Sequence, residues 1–358
     1  MAKQLGFAVV GCGVIGKMHA ERAIAVDGAR LVAVVDEIKE RAEAFADKYG
    51  VPAYTSVQAM LDNPDVDIVT VGTPSGLHAD VTIAAARAGK HVIVEKPIEV
   101  TLEKADAMIR ACRENGVRLA VISQHRFDPS TVAIKRLVDS GDLGHMLLGE
   151  AAVNWFRSQA YYDSGDWRGT WALDGGGALM NQSIHTIDLL QYLMGPVASV
   201  FAHAKTMNHE RIEVEDAAVA VVRFCDGGIG TIVGTTLAYP GLSTRLELFG
   251  SKGTAVIEKD RLTHLYFRPQ AETGGAHYSD RRAVNMADDA MAAPAPGVGA
   301  DPAAVHGAAH HAQFADLVAA IREGREPLVN GEEGRKPLEI ILAIYESARS
   351  GREVRLPL

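Results

Sequence analysis

The chain has 358 residues, 47% of them hydrophobic, and a formal net charge of −9 at pH 7. That length fits about two domains, each with enough apolar side chain for its own core. The acidic surplus, with no basic stretch, argues against nucleic acid and anionic membrane as partners. No apolar run is long enough to span a bilayer.

Phe7–Val10 reads as a buried strand that runs straight into Gly11-Cys12-Gly13-Val14-Ile15-Gly16, and a helical pattern starts near Ile15. In this order Gly11 permits the tight turn, Gly13 lets backbone amides approach a pyrophosphate, and Gly16 lets the helix sit close on the strand. The first helix turn, with Val14 and Ile15, offers unpaired N–H groups to phosphates. A second strand, Leu31–Val35, ends in Asp36, whose carboxylate suits the ribose hydroxyls of NAD and repels the extra phosphate of NADP. NAD is therefore expected, with NADP left open by Lys39 and Arg41. Cys12 is expected to be a small filler. The three scattered cysteines show neither disulfide nor metal-ligand spacing, so no metal and a reducing cytoplasm are expected. The first apolar run breaks at Gly11, so no secretory leader is expected.

Further strands are predicted at Ile68–Val71, His91–Val94 and Arg118–Ile122, with helices starting near Lys39, Ser56, Ala79 and Thr101. Ser56 and Thr101 read as helix caps, and Gly50, Gly89 and Gly116 as helix stops. This strict alternation predicts a doubly wound parallel α/β sheet, a Rossmann domain over residues 1–123. Residues 124–358 change style. A helix is predicted over Asp128–Ser140. Strands are predicted at Met146–Val153, Val197–Lys205, Ala217–Phe224, Ile229–Leu237, Thr244–Phe249 and Thr254–Ile257. Asp226-Gly227-Gly228 reads as a hairpin turn. One helix, Gly177–Met194, interrupts them. The expectation is an α+β domain with a large, mostly antiparallel open sheet. Met286–Gly307, rich in Ala, Pro and Gly, reads as a surface loop or lid, followed by helices His310–Glu323 and Leu338–Ser350.

Four features together resemble the Gfo/Idh/MocA (glucose–fructose oxidoreductase / inositol dehydrogenase) family. They are the glycine loop, Thr73-Pro74-Ser75 with His78, Glu95-Lys96-Pro97, and Gly175-Gly176-Gly177 leading to His185-Thr186-Ile187-Asp188. The resemblance runs end to end and includes Glu332-Gly334-Arg335. It implies an NAD(P)-dependent dehydrogenase or reductase. Hydride would pass between nicotinamide and a secondary hydroxyl or ketone of a sugar, cyclitol or nucleotide sugar. Thr73, Pro74, His78, Glu95 and Lys96 are expected at the coenzyme, because ligands gather outside the carboxyl ends of such strands. Lys96, His185 and Asn181 are expected to be catalytic. Histidine titrates in the range that suits proton transfer. The family commonly carries Asp where this chain has Asn181, which removes a charge from behind His185.

Gln124, Arg126, Trp167, Arg168, Asn181, Asp188 and His310 are expected at the substrate, and Gln313 on the same face as His310. Trp155, Arg157, Tyr161, Tyr162, Asp166 and Trp171 add aromatic and charged groups near it, with plain aromatic packing as the other reading. The run Trp167-Arg168-Gly169-Thr170, then Asn181-Gln182, is similar to members that oxidise C3 of UDP-N-acetylglucosamine uronic acid. By analogy with the family a homodimer or homotetramer is expected. Two alternatives remain: an NAD-using glycosidase of the same fold, and a non-catalytic NAD-binding regulator.

Overall fold

A computed structural model describes residues 3–269, 283–292 and 305–358. The polypeptide forms two compact units. One comprises residues 1–124, 165–176 and 302–338; the other comprises 125–164, 177–301 and 339–358.

The first unit alternates strand and helix. Its strands are β1 (Leu5–Val10), β2 (Ala29–Val35), β3 (Ala53–Tyr54), β4 (Ile68–Val71), β5 (His91–Val94) and β6 (Leu119–Val121). Its helices are α1 (Val14–Ala25), α2 (Lys39–Tyr49), α3 (Val57–Leu61), α4 (His78–Arg87) and α5 (Leu102–Glu114). The strands form one sheet in the order β3-β2-β1-β4-β5-β6, every pair parallel. β4 is buried at all four positions, as a strand covered by helices on both faces must be. The order reverses between β1 and β4, which opens a crevice at the carboxyl ends of these strands. Gly50 ends α2 in the left-handed region, with φ of 68°. Thr101 caps α5 by accepting from the Lys104 amide at 3.3 Å, whereas Ser56 makes no side-chain cap.

The long helix α10 (Val305–Glu323) belongs to this unit. Phe314 stacks on Phe7 with ring centroids 5.7 Å apart. Apolar Phe314, Leu317 and Val318 thus extend the core of the first sheet from far along the chain.

The second unit is built on β7 (Met146–Asn154), β8 (Val197–Lys205), β9 (Ala217–Phe224), β10 (Ile229–Thr235), β11 (Thr244–Gly250), β12 (Gly253–Glu258), β13 (Arg261–Phe267) and β14 (Val354–Arg355). They form one sheet in the order β13-β12-β11-β7-β10-β9-β8-β14, antiparallel except for the β7–β10 pair. In β9, Ala218, Ala220, Val222 and Phe224 are buried while Val219, Val221 and Arg223 are exposed, the period of two of a sheet with one covered face. Short helices α7 (Gln159–Tyr162) and α9 (Ala287–Ala292) join α6 (Pro129–Asp139), α8 (Ile184–Met194) and α11 (Gly331–Ser350), whose first turns lie in the other unit's segment.

Three expectations change here. The helix expected over Gly177–Met194 is split: Ala178–Ser183 is π-helical and only Ile184–Met194 is α-helical. The Ser183 hydroxyl donates to the Ala178 carbonyl at 2.7 Å, five residues back, which suits the wider turn. The last helix starts at Gly331 rather than Leu338, because Pro337 sits inside it without ending it. Of the loop expected over Met286–Gly307, Ala287–Ala292 is helical and the next helix starts at Val305 rather than His310, while residues 293–304 lie outside the described residues.

Candidate active site

β1 and α1 set the first part of the site. Gly11 has φ of 97°, and a Cβ there would lie 2.7 Å from the Gly72 carbonyl oxygen. A Cβ on Gly16 would lie 1.8 Å from the Gly11 oxygen, so helix and strand approach as only glycine allows. A Cβ on Gly13 would meet nothing within 4 Å. Gly13 is also the N-cap of α1, and no side chain caps that helix. The first amides of α1 therefore face open space beside Val14 and Ile15, both exposed.

Asp36, at the end of β2, is buried. Its Oδ2 accepts from the Cys12 amide at 2.8 Å and its Oδ1 from the Ile38 amide at 2.9 Å. Each oxygen keeps a lone pair, so the carboxylate is fixed against the glycine loop and still able to accept from a ribose hydroxyl. Burial, then the Asp36 charge, pushes the Cys12 thiol up to about 12, so it packs as an inert filler.

The loops after β4 and β5 supply the next groups. The Thr73 hydroxyl and Gln124 Oε1 are buried with no hydrogen-bond partner among the described residues. Unpartnered buried polar atoms are costly and mark places where a ligand completes the hydrogen bonding. Thr73 was expected at the coenzyme and Gln124 at the substrate. From Val92 to Val100 only Lys96 is not buried, and the Lys96–Pro97 bond is cis. Beneath Lys96 lies a polar chain. His19 Nε2 lies 3.1 Å from Glu95 Oε1, and Glu95 Oε2 accepts from the Lys96 amide at 3.1 Å. Burial alone raises the Glu95 carboxyl. The His19 hydrogen bond, with the His19, Lys96 and His310 charges, reverses this and takes it down to about 2. His19 was absent from the sequence expectations. Its signal was there: the buried face of α1 is Gly16, His19, Ala20 and Ala23, so an imidazole stands in an apolar stripe and requires a partner.

The segment bearing Trp167 and Arg168 packs within the first unit. The Gly76 amide donates to the Leu173 carbonyl at 3.0 Å, and a Cβ on Gly76 would lie 2.1 Å from the Ala172 oxygen. The Arg168 guanidinium sits 4.5 Å from the Trp167 ring centroid, both half-buried. His310 on α10 is buried close enough to Glu95 to lower its carboxyl.

In the second unit, Asn181, His185 and Tyr192 are the residues between Ala178 and Met194 that escape burial. Asn181 Oδ1 accepts from Gln182 Nε2 at 3.0 Å, and the His185 ring meets His125 edge-on at 5.0 Å. Arg157 lies over Trp155 and Tyr161 and donates to Gln182 Oε1 at 2.6 Å, so this cluster is cross-linked by cation–π and hydrogen-bond contacts.

The buried Glu215, which sequence reasoning missed, holds the start of this segment. It accepts from the Gly177 and Leu179 amides at 2.9 and 2.8 Å and from the Tyr345 hydroxyl at 3.0 Å. Nothing near it in sequence signals that role, because the glycines lie 38 residues away. Burial lifts its carboxyl from 4.5 to about 7, against the lowering effect of those amides. A folded-state value above the unfolded one means the native protein holds the extra proton, so stability falls as pH rises from 4.5 towards 7. The expected loss is on the order of 3 kcal/mol at one group. Urea titrations of wild type and Glu215→Gln across that window check it. The difference between the two should slope with pH, and a flat difference contradicts the assignment.

Four residues expected at a ligand also make contacts within the fold. Arg126 and Asp188, both expected at the substrate, are buried against each other: Nε donates to Oδ2 at 2.8 Å and a terminal NH2 to Oδ1 at 2.6 Å. His78, expected at the coenzyme, is 1% exposed, with Nδ1 2.9 Å from the Pro97 carbonyl and Nε2 3.0 Å from that of Thr73. Gln313 is consumed between the Ser123 amide and the Val121 carbonyl, where it fastens α10 to the end of β6. Each of these side chains is anchored within its own unit.

Comparison with known proteins identifies the family and the fold. The profile of the oxidoreductase family with an NAD-binding Rossmann fold, GFO_IDH_MocA, matches residues 5–123, and the GFO/IDH/MocA C-terminal domain matches residues 131–256. The chain is 31% identical to scyllo-inositol 2-dehydrogenase (NAD(+)) of Bacillus subtilis over 74% of this chain and 77% of that one. It is 28% identical to myo-inositol 2-dehydrogenase of Thermotoga maritima over 97% of each. Among solved structures, the WlbA dehydrogenase from Bordetella pertussis in complex with NADH and UDP-GlcNAcA superposes with a TM-score of 0.88. It is 35% identical, over 100% of this chain and 99% of that one. The two-unit architecture is thus that of a known class, and the chain belongs to the GFO_IDH_MocA family of NAD-binding oxidoreductases.

Proposed function

We propose that this oxidoreductase acts on a secondary hydroxyl of a nucleotide-sugar acid, with simple sugars and cyclitols as the broader class. The observation that carries the reading is the end-to-end likeness, at 35% identity, to a dehydrogenase solved with NADH and UDP-GlcNAcA. Trp167 beside Arg168 supports it: an aromatic face stacks on a sugar or base, and a guanidinium grips carboxylate or phosphate.

NAD, when bound, supplies the hydride acceptor. The amides at the start of α1 would hold its pyrophosphate, Asp36 its ribose hydroxyls, and Thr73 a further polar atom. As the substrate hydroxyl is oxidised its proton must leave, and Lys96 and His185 are the proposed acceptors. Asn181 offers His185 an amide rather than a charge, which shifts weight to Lys96. Lys96, Glu95, Gln124, Trp167, Arg168, Asn181, His185 and His310 remain the proposed contacts. A panel of UDP-GlcNAcA, inositols and free sugars with NAD, read by absorbance of the reduced coenzyme, tests this. NADH formation with UDP-GlcNAcA above all others is the expected result. Glycoside cleavage without net NADH would favour the glycosidase alternative.

Asp36→Ala should relax selectivity. Removing the carboxylate loses one charge-assisted acceptor and the repulsion of the extra phosphate, so the NAD-to-NADP ratio of kcat/KM should fall by about tenfold or more. An unchanged ratio counts against Asp36.

The chain is also proposed to assemble through the uncovered face of its second sheet. Phe201, Val219, Val221 and Ile229 expose apolar side chains on adjacent strands β8, β9 and β10. A contiguous apolar patch of this kind marks an interface. Light scattering is expected to give a dimer or tetramer, and Val219→Glu with Val221→Glu to give monomer. A wild-type monomer would rule the interface out.

A further inference from the structure

Two buried imidazoles flank the tripeptide Glu95-Lys96-Pro97. On one side His19, fully buried on α1, reaches Glu95 Oε1 through Nε2 at 3.1 Å, with Nδ1 3.3 Å from the Thr70 hydroxyl on β4. The ring's edge packs on Phe314 of α10, centroids 5.4 Å apart. On the other side His78, at the start of α4, reaches the Pro97 carbonyl and, across its ring, the Thr73 carbonyl. We propose that His19 and His78 are positioning residues for Lys96, acting through the Glu95 carboxylate and the Pro97 carbonyl. The inference rests on the reading of Lys96 as a proton acceptor.

The physical case starts from the lysine. Four rotatable carbons separate its amine from the main chain, so the amine is well placed only if the chain beneath it is fixed. Here the main chain is held at two points and the Glu95 side chain at a third. The Lys96 amide donates to Glu95 Oε2, the other Glu95 oxygen is taken by His19, and the carbonyl of Pro97 is taken by His78. The His78 ring also lies between the carbonyls of Pro97 and Thr73 and, as a neutral imidazole, donates to one of them while packing the loop after β5 against the loop after β4. A surface lysine needs none of this, and burying two imidazoles on polar partners is costly unless every contact is made.

The ionisable groups around Glu95 are His19 from α1, Lys96 beside it and His310 from α10. Those around His78 are Glu95 and Glu99. If the His19 contact is lost, Glu95 Oε1 is released to interact more closely with Lys96, whose charge already acts on that carboxyl, and an adjacent carboxylate holds a lysine protonated to higher pH. The arrangement therefore keeps the Glu95 carboxylate engaged with His19 and the main chain beneath the amine in place.

The test measures the amine itself. Lys96 is labelled with acetic anhydride across a pH series, and the half-labelling pH is read by peptide mass spectrometry in wild type, His19→Leu and His19→Gln. NADH affinity is followed by fluorescence, and turnover with UDP-GlcNAcA by absorbance. In His19→Leu the half-labelling pH should rise by about one unit, and kcat should fall by roughly tenfold or more with little change in NADH affinity. His19→Gln, which keeps a donor for Glu95, should recover most of both. If His19→Leu does not fold, Glu95→Gln serves. It removes the carboxylate, so the half-labelling pH should move down while kcat still falls. Wild-type labelling and kcat in His19→Leu, or equal losses in the Leu and Gln variants, would overturn the proposal. The two readings separate cleanly: full turnover in Lys96→Ala would remove Lys96 from the chemistry, while the labelling shift would still report the clamp.

Discussion

Lys96→Ala and His185→Ala are each expected to lower kcat by about 10²–10⁴-fold while NADH affinity stays within a few-fold of wild type. Neither side chain belongs to the features that fit the coenzyme's phosphates and ribose. Those are the amides of α1, the carboxylate of Asp36 and the space over Gly13. Losing a proton acceptor removes stabilisation made only as the hydroxyl is oxidised, so kcat falls rather than binding. The lysine variant should be the more damaged. Its backbone is pinned through Glu95, whereas Asn181, four residues before His185, gives its amide oxygen to Gln182 and carries no charge to stabilise an imidazolium. Cofactor titration beside steady-state rates checks this, and near-normal turnover in both variants would sink the assignment of the chemistry.

The coenzyme half of the site was legible in the sequence because its signals are local. A buried strand, a glycine spacing, a helix and an acid at the next strand end lie within Phe7–Asp36, and each element follows from its own residues. β3 escaped because two residues leave no periodicity, and β13 because Arg261–Phe267 alternates too weakly to stand apart from the turn before it. The roles of individual polar residues were less legible for a different reason. Arg126, Asp188, His78 and Gln313 have the right chemistry to touch a ligand, but their partners lie far off in sequence or on main-chain atoms. Periodicity reports which face a residue occupies and is silent on whether a buried polar group meets a ligand or another part of the fold. The same blindness hid Glu215, whose carboxylate organises the start of a π-helical segment that no local propensity encodes.

The Arg126–Asp188 pair gives the largest expected effect on stability. Arg126 is 1% exposed and Asp188 2%, the guanidinium meets the carboxylate with two donors, and its face lies 4.3 Å from the Tyr192 ring centroid. The pair fastens the 3₁₀ turn Gln124–Phe127 to α8 one turn beyond His185. Removing one partner strands a charge in a buried site, so Arg126→Met and Asp188→Leu should each cost about 3–5 kcal/mol. The double variant should cost less than either single change, because two apolar side chains of similar size leave no charge unpaired. Urea denaturation of the four proteins measures this coupling directly. Simple additivity, or singles within about 1 kcal/mol of wild type, would mean the pair does not hold the fold. If that stability result came with a raised KM for UDP-GlcNAcA in Arg126→Met, it would return Arg126 to the substrate. A structural pair predicts the opposite split: a large stability loss, with KM changing only as far as α8 carries His185 out of place.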